Sequence, residues 1–500
     1  MTPVSAVSPG EPYEPCGYHN AVHRLGSLLL ALALAAAPGA RAQTLPDLGE
    51  SAQTELTPQQ ERRIGDSIMR EIRRDPDYVG DPEVADYVQQ VGFRLVAASP
   101  ESRRHFEFFV VRDRTVNAFA MPGGYIGVHT GLLLASQTES EFAGVLAHEL
   151  AHVLQRHLAR QFDAQSKATH LSLLAFALSV LAARSSPQAA QAGIVAAQAA
   201  PTAIFLNYSR DFEREADRVG YQILEASGYD TAGMPAFFER LQKATRLYEN
   251  NAPVYVRTHP LTTERIADMQ NRQATAPYRQ RPDSHEFQLV RAKLRAADGR
   301  PEDAVAFFRT ALGERRFADE AAVRYGYAAA LARARDFKAA DAEISALRKT
   351  ARPHPMYETL AARIKAGAGD LAGADKILAA AGQTYPDVFA IRFDRAEILQ
   401  RLGREKEAVA LLDELIKRRP GDAQPYQMLA KSYAALGART QQHRALAEAY
   451  YLQGSVPAAI EQLQFAQAAG DSDFYTLSAI DARLREFKRV QVEELKERKK

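Results

Sequence analysis

A chain of 500 residues is too long for a single hydrophobic core and calls for about two to four domains. With 46% hydrophobic and 25% charged residues it has a globular composition, and 63 Lys and Arg against 61 Asp and Glu exclude the broad basic face that nucleic acid requires. Cys16 is the one cysteine, so disulfides and cysteine metal sites are excluded and any metal must be held by His, Asp or Glu.

The first element is a leader. RLGSLLLALALAAAPGARAQ, residues 24–43, runs from a basic flank through an apolar stretch to Ala40-Arg41-Ala42. The apolar stretch is ~12–14 residues, short of the ~20 that span a bilayer. It predicts a signal peptide over residues 1–42, cleaved after Ala42, and an exported mature chain. Cys16 precedes the apolar stretch rather than the cleavage point and is lost with the leader.

A helix is predicted from Pro58, with Thr57 as N-cap and Gln60 closing a capping box. A second helix starts at Asp81-Pro82. FEFFVVRD, residues 106–113, is β-branched and aromatic and predicts a strand. NAFAMPGGYIGVHTGLL, residues 117–133, reads as strand, turn, strand. Thr138 with Glu141 opens the next helix, which carries HELAHVLQRH, residues 148–157. The Ala- and Leu-rich segment 167–206 is again too short in its apolar part to span a membrane, and reads as a buried helix, an apolar lid or a peripheral membrane contact. The polar stretch 272–287 is a domain boundary. It divides a first part, 43–275, and a linker, 276–287, from a repeat part, 288–500.

The repeat part has a period. Ala304, Ala340, Ala374 and Ala408 recur at intervals of 36, 34 and 34 residues, and Gly369, Gly403 and Gly437 mark turns 34 apart. Small residues in a second helix, with Pro386 and Pro420 closing successive units, form the tetratricopeptide pattern, hence an α-solenoid. The tail VEELKERKK is basic only at its end and reads as a solvated helix terminus.

In HELAH, His148 and His152 are four apart on a helix, so both imidazoles leave one face about a turn apart, as two ligands of one zinc ion require. Glu149 is turned ~100° away, within reach of a water but not of the metal itself. Downstream, SRDFEREAD, residues 209–217, places Glu213 and Asp217 on one helical face. Glu213 can supply a third ligand, and Asp217 can hold the outward nitrogen of a ligand histidine. Arg210, on the same side, either steadies an oxyanion or pairs with Glu213 or Asp217.

HELAHVLQRH, SRDFEREAD, NAFAMPGGYIGVHTGLL and THPLTTERI together resemble the zinc metallopeptidase family that includes HtpX and the CAAX prenyl-endopeptidases, and in particular its soluble, repeat-bearing periplasmic members. The resemblance covers nearly the whole mature chain, although the repeat half matches in architecture only. It implies a mainly α fold, a gluzincin-type peptidase domain with a small β-sheet followed by the solenoid. It implies one zinc ion on His148, His152 and Glu213, with Glu149 and Asp217 as the catalytic pair, Glu149 as base and Asp217 behind a ligand histidine. It also implies quality control of outer-membrane β-barrel proteins, with misassembled barrels as clients and the barrel-assembly machinery as a partner of the repeats. Where HtpX relatives cross the membrane between HExxH and the glutamate, this chain has only the 167–206 segment.

His259, in the THP element, is expected as a fourth metal ligand that closes the resting site and swings away for cleavage. Asn117, Ala118 and Phe119 form either an edge strand that pairs with an extended substrate or an ordinary sheet strand. His157, by helical projection ~140° from His152, is structural or interdomain, and His129, within a strand, is not a ligand. The competing function is a non-proteolytic tetratricopeptide scaffold with a latent zinc site.

Overall fold

The computed structural model describes residues 56–163, 209–247, 254–275 and 280–497. The leader with Cys16 and the apolar 167–206 segment lie outside the described residues. No described helix is long and apolar enough to cross a membrane.

The chain enters through α1 (Pro58–Ile72), whose capping box forms as expected: the Thr57 hydroxyl accepts from the Gln60 N–H, and the Gln60 side chain accepts from the Thr57 N–H at 2.8 Å. Asp81 caps α2 (Pro82–Ala97) through the N–H groups of Glu83 and Val84. Three short strands follow, β1 (Glu107–Val111), β2 (Ala118–Met121) and β3 (Tyr125–His129). Their order is β1-β3-β2, with β1 parallel and β2 antiparallel to the central β3, so Phe109 faces Gly127 on one side and Phe119 faces it on the other. Beyond α3 (Thr130–Ala135) comes the motif helix α4 (Glu139–Leu154), capped by the Thr138 hydroxyl on the Glu141 N–H. It is buried along almost its whole length and packs on β2 and α2. The rest of this half comprises α5 (His157–Asp163), α6 (Arg210–Ala226), α7 (Gly233–Leu247), α8 (Val254–Thr258) and α9 (Thr263–Thr275).

The repeat half is a run of helices from α10 (His285–Ala297) to α21 (Phe474–Glu497), paired as consecutive hairpins. The periodic alanines explain the pairing. Ala304, Ala340, Ala374 and Ala408 are each within 4% of full burial at the positions where second helices approach their partners. Gly369, Gly403 and Gly437 hold φ values of 93°, 72° and 73°, left-handed conformations that stop one helix and turn into the next.

The polar stretch at 272–287 does not separate two cores. A single apolar cluster runs from Val84, Tyr87 and Phe142 through Phe287 and Val290 to Tyr357 and Leu360. The Tyr87 ring lies 6.1 Å from Phe142 and 6.3 Å from Phe287, joining α2, α4 and α10. Polar contacts follow the same seam. Glu83 is buried against Lys293 and against the Thr359 hydroxyl at 2.5 Å, and Lys293 also meets Asp81 at 2.6 Å. Farther along, Arg419 reaches Asp86 at 2.6 Å and Arg70 reaches Glu494 at 3.4 Å.

Candidate metal centre

Two helices build the site. On α6 the buried positions Glu213, Ala216, Asp217, Gly220, Ile223 and Leu224 follow helical spacing, so two carboxylates occupy the face that an amphipathic helix reserves for apolar residues. That face packs on α4. The approach is close because Gly220 sits at the crossing: a Cβ there would lie 3.0 Å from the Ala147 carbonyl oxygen and from the His148 nitrogen. Glu213 and Asp217 are thereby brought level with His148 and His152.

His148, His152, Glu213 and His259 each offer one ligand atom within 4.8 Å of the other three, and all four side chains are buried. His148 Nε2 is 3.0 Å from His152 Nε2 and 3.5 Å from Glu213 Oε2, and His152 Nε2 is 3.5 Å from Glu213 Oε1. Tetrahedral zinc with bonds of ~2.0–2.1 Å sets its ligands about 3.3 Å apart, so these separations fit that ion. His259 Nδ1 lies 2.9 Å from Glu213 Oε1, and its Nε2 lies 3.5 Å from Glu149 Oε1. Both carboxylate oxygens of Glu149 are buried with no hydrogen-bond partner among the described residues. A solvent-free carboxylate is costly, and the cationic form of His259 would lie 3.5 Å from this one.

Burial and the neighbouring acids pull the titrating groups of the cluster in opposite directions. Burial alone would lower the His148 pKa, but contacts with Asp217 and Glu213 raise it to about 9. Burial lowers His152 to about 3, although Glu213 opposes it. Burial would raise Glu213, yet His259, His148 and His152 hold its carboxylate well below the usual range. Burial raises Glu149, with His259 and His148 pulling the other way.

The surrounding residues correct two expectations. Arg210 is exposed at the start of α6 and is not the arginine of the site. That residue is Arg265 on α9, buried 2.7 Å from Glu213 and forked onto Asp217, whose Oδ1 also lies 3.0 Å from His148 Nδ1. A pair of buried carboxylates demands a cation, and THPLTTERI contained one, but α6 spacing alone pointed to the nearer arginine. The helical projection of His157 also fails. The motif helix stops at Leu154, Arg156 turns the chain with φ 50°, and His157 returns to place its Nδ1 2.9 Å from His152 Nδ1. Tyr255, which carried no motif, stacks on His259 with centroids 4.7 Å apart.

His129 lies apart from the cluster, 2.9 Å from the Thr115 hydroxyl. Strand β2 is the sheet edge, but Ala118 is buried, Phe119 half-buried and Asn117 only 3% exposed. The edge is therefore real in topology and largely covered in side chain.

Residues 82–273 match the model of peptidase family M48, and residues 295–364 and 365–432 match a tetratricopeptide repeat model. The chain is 30% identical over 453 residues to the beta-barrel assembly-enhancing protease of Escherichia coli (strain K12), covering 90% of this chain and 92% of that one. It is 30% identical to the protein of the same name from Yersinia pestis, over 89% and 92% of the two chains. The mitochondrial metalloendopeptidase OMA1 of Schizosaccharomyces pombe is 32% identical over 180 residues, 36% of this chain and 50% of its own. The matched region contains both site helices, and the long relatives continue through the repeats: the chain belongs to the metallopeptidases of family M48, among the members joined to a tetratricopeptide array.

Proposed function

We propose that the chain is an exported zinc endopeptidase acting in quality control of outer-membrane β-barrel proteins, degrading misassembled barrels and assisting assembly in a chaperone-like role. The observation that carries the enzymatic reading is the convergence of His148, His152 and Glu213 beside the unpaired, buried carboxylate of Glu149. The barrel-assembly reading is supported by the long relatives, whose names state that role.

His148, His152 and Glu213 would hold one zinc ion per chain, which when bound supplies Lewis acidity at the scissile carbonyl. Glu149 takes the proton of the attacking water and returns it to the leaving amine. Its burial-raised pKa brings it nearer the pH at which a base both accepts and releases a proton. Asp217 fixes the ring of His148, and Arg265 fixes Asp217. Asn117, Ala118 and Phe119 offer the edge of β2 to an extended client segment. His259 closes the resting site, since its imidazole contacts Glu213 and approaches Glu149.

In this reading residues 1–42 direct export, 43–275 form the peptidase, 276–287 the linker, and 288–500 recruit clients and the barrel-assembly machinery. The 167–206 segment provides any peripheral membrane contact. The test is zinc content and casein cleavage of the mature protein and of Glu149→Gln. About one zinc per chain in both, with cleavage in the wild type alone, is expected. Wild type without zinc, or equal cleavage by the variant, overturns the proposal.

A further inference from the structure

His157 has no part in the chemistry described so far, yet its imidazole is fully buried and locked from every side. Its Nδ1 is 2.9 Å from Nδ1 of His152, and its Nε2 is 3.2 Å from Glu215 Oε2. The same Glu215 oxygen accepts from Arg160 Nη1 at 2.9 Å. Phe212 lies parallel to the His157 ring, centroids 4.6 Å apart and planes 11° apart, and the Arg160 guanidinium sits 4.6 Å from the centroid of the Phe212 ring. The turn that delivers His157 is itself pinned, since Arg156 reaches Glu61 at 2.9 Å and the Leu56 carbonyl at 2.7 Å.

We infer that His157 is a positioning residue that fixes the ring orientation and tautomer of His152. The argument follows the hydrogen atoms. His152 turns Nε2 toward His148 and Glu213, and a nitrogen that gives its lone pair to a cation carries no hydrogen. The hydrogen of His152 therefore sits on Nδ1 and donates to Nδ1 of His157. That nitrogen must be bare, so the hydrogen of His157 sits on Nε2 and donates to Glu215. The two helix-borne histidines are thus oriented by different chemistry. His148 leans on a carboxylate, Asp217, and His152 leans on a neutral imidazole with its carboxylate one residue farther out. A neutral acceptor orients the ring without adding negative charge beside the cluster, where Glu213, Glu149 and Asp217 already gather it.

This inference rests on the zinc reading above, and the experiment separates the two. Zinc dissociation constants are measured by chelator competition for mature wild type, His157→Leu and His157→Asn, with metal-free melting as the folding control. The asparagine carbonyl oxygen falls close to where His157 Nδ1 now accepts, whereas leucine fills the space and accepts nothing. His157→Leu is expected to weaken zinc by ~10–100-fold, the usual effect of losing a partner behind a ligand histidine, and His157→Asn to recover most of it. Nitrogen-15 spectra of histidine-labelled, zinc-loaded wild type are expected to show His157 with its hydrogen on Nε2 and His152 with its hydrogen on Nδ1. Equal affinity in wild type and His157→Leu, equal loss in both variants, or a hydrogen on Nδ1 of His157 overturns the inference. If His157→Leu does not fold, the wild-type spectrum and the asparagine variant decide. Wild type that binds no zinc brings down the metal reading itself.

Discussion

Arg265 grips Asp217 at both oxygens, Nε on Oδ2 at 2.6 Å and Nη2 on Oδ1 at 2.8 Å, with each side chain only 3% exposed. Its third nitrogen reaches Glu213 at 2.7 Å, so one guanidinium balances two buried acids. Removing it leaves the two acids to the site histidines, without their arginine. Arg265→Ala is expected to destabilise the metal-free protein by ~3–5 kcal/mol in urea unfolding. Arg265→Lys is expected to rescue little, because an ammonium cannot fork across a carboxylate. A loss below about 1 kcal/mol for the alanine variant would show that the two acids do not depend on this partner.

His259 touches Glu213 at 2.9 Å and lies 3.5 Å from Glu149, so it stands between the base and the ligands. His259→Ala is expected to keep its zinc through the other three residues and to cleave casein, and itself, faster than wild type. Quantified cleavage at matched zinc loading checks this, and a variant no more active than wild type removes the gating role.

The crossing at Gly220 sets the distance between the two site helices. Gly220→Ala pushes a methyl to 3.0 Å from backbone atoms of Ala147 and His148, which cannot yield as a flexible side chain would. Overpacking of this kind costs ~1–3 kcal/mol, and displacement of α6 by a few tenths of an ångström is expected to speed zinc loss on dialysis against a chelator. Gly313→Ala is the control. It is the last residue of a helix, with nothing within 4 Å of the added carbon, and its substitution should leave zinc retention unchanged.

Truncation after residue 287 removes Leu289, Val290, Tyr325, Tyr357 and Leu360 from the cluster that contains Val84 and Phe142. It also strips Lys293 and Thr359 from the buried Glu83. The shortened chain is expected to aggregate or to bind a hydrophobic dye strongly in its soluble fraction. A soluble truncation with the wild-type melting temperature would show that the peptidase half holds its own core.

What was legible in the sequence was what local spacing dictates. Four residues on a helix return to the same face, so His148 with His152, and Glu213 with Asp217, could be paired before any packing was known. Caps and turns were equally local, as Thr57 and the repeat glycines show. Arg265 was not legible, because a charge partner 48 residues away is chosen by how α9 packs on α6. Helical projection moved His157 away from His152, because a single left-handed residue, Arg156, ends the helix before the projection applies. The boundary at 272–287 was read from polarity, and polarity along a chain says nothing of which apolar faces meet across it. Phe287 closes that stretch and Tyr87 lies far upstream, yet their rings share one core.

That shared core makes the molecule a ruler. With the first repeats welded to the peptidase through Tyr87, Phe142 and Phe287, any surface of those repeats stands at a set reach from Glu149. If the repeats tether clients as proposed, a tethered segment would need a minimum length of chain to reach Glu149, and that length would be set by the shared core.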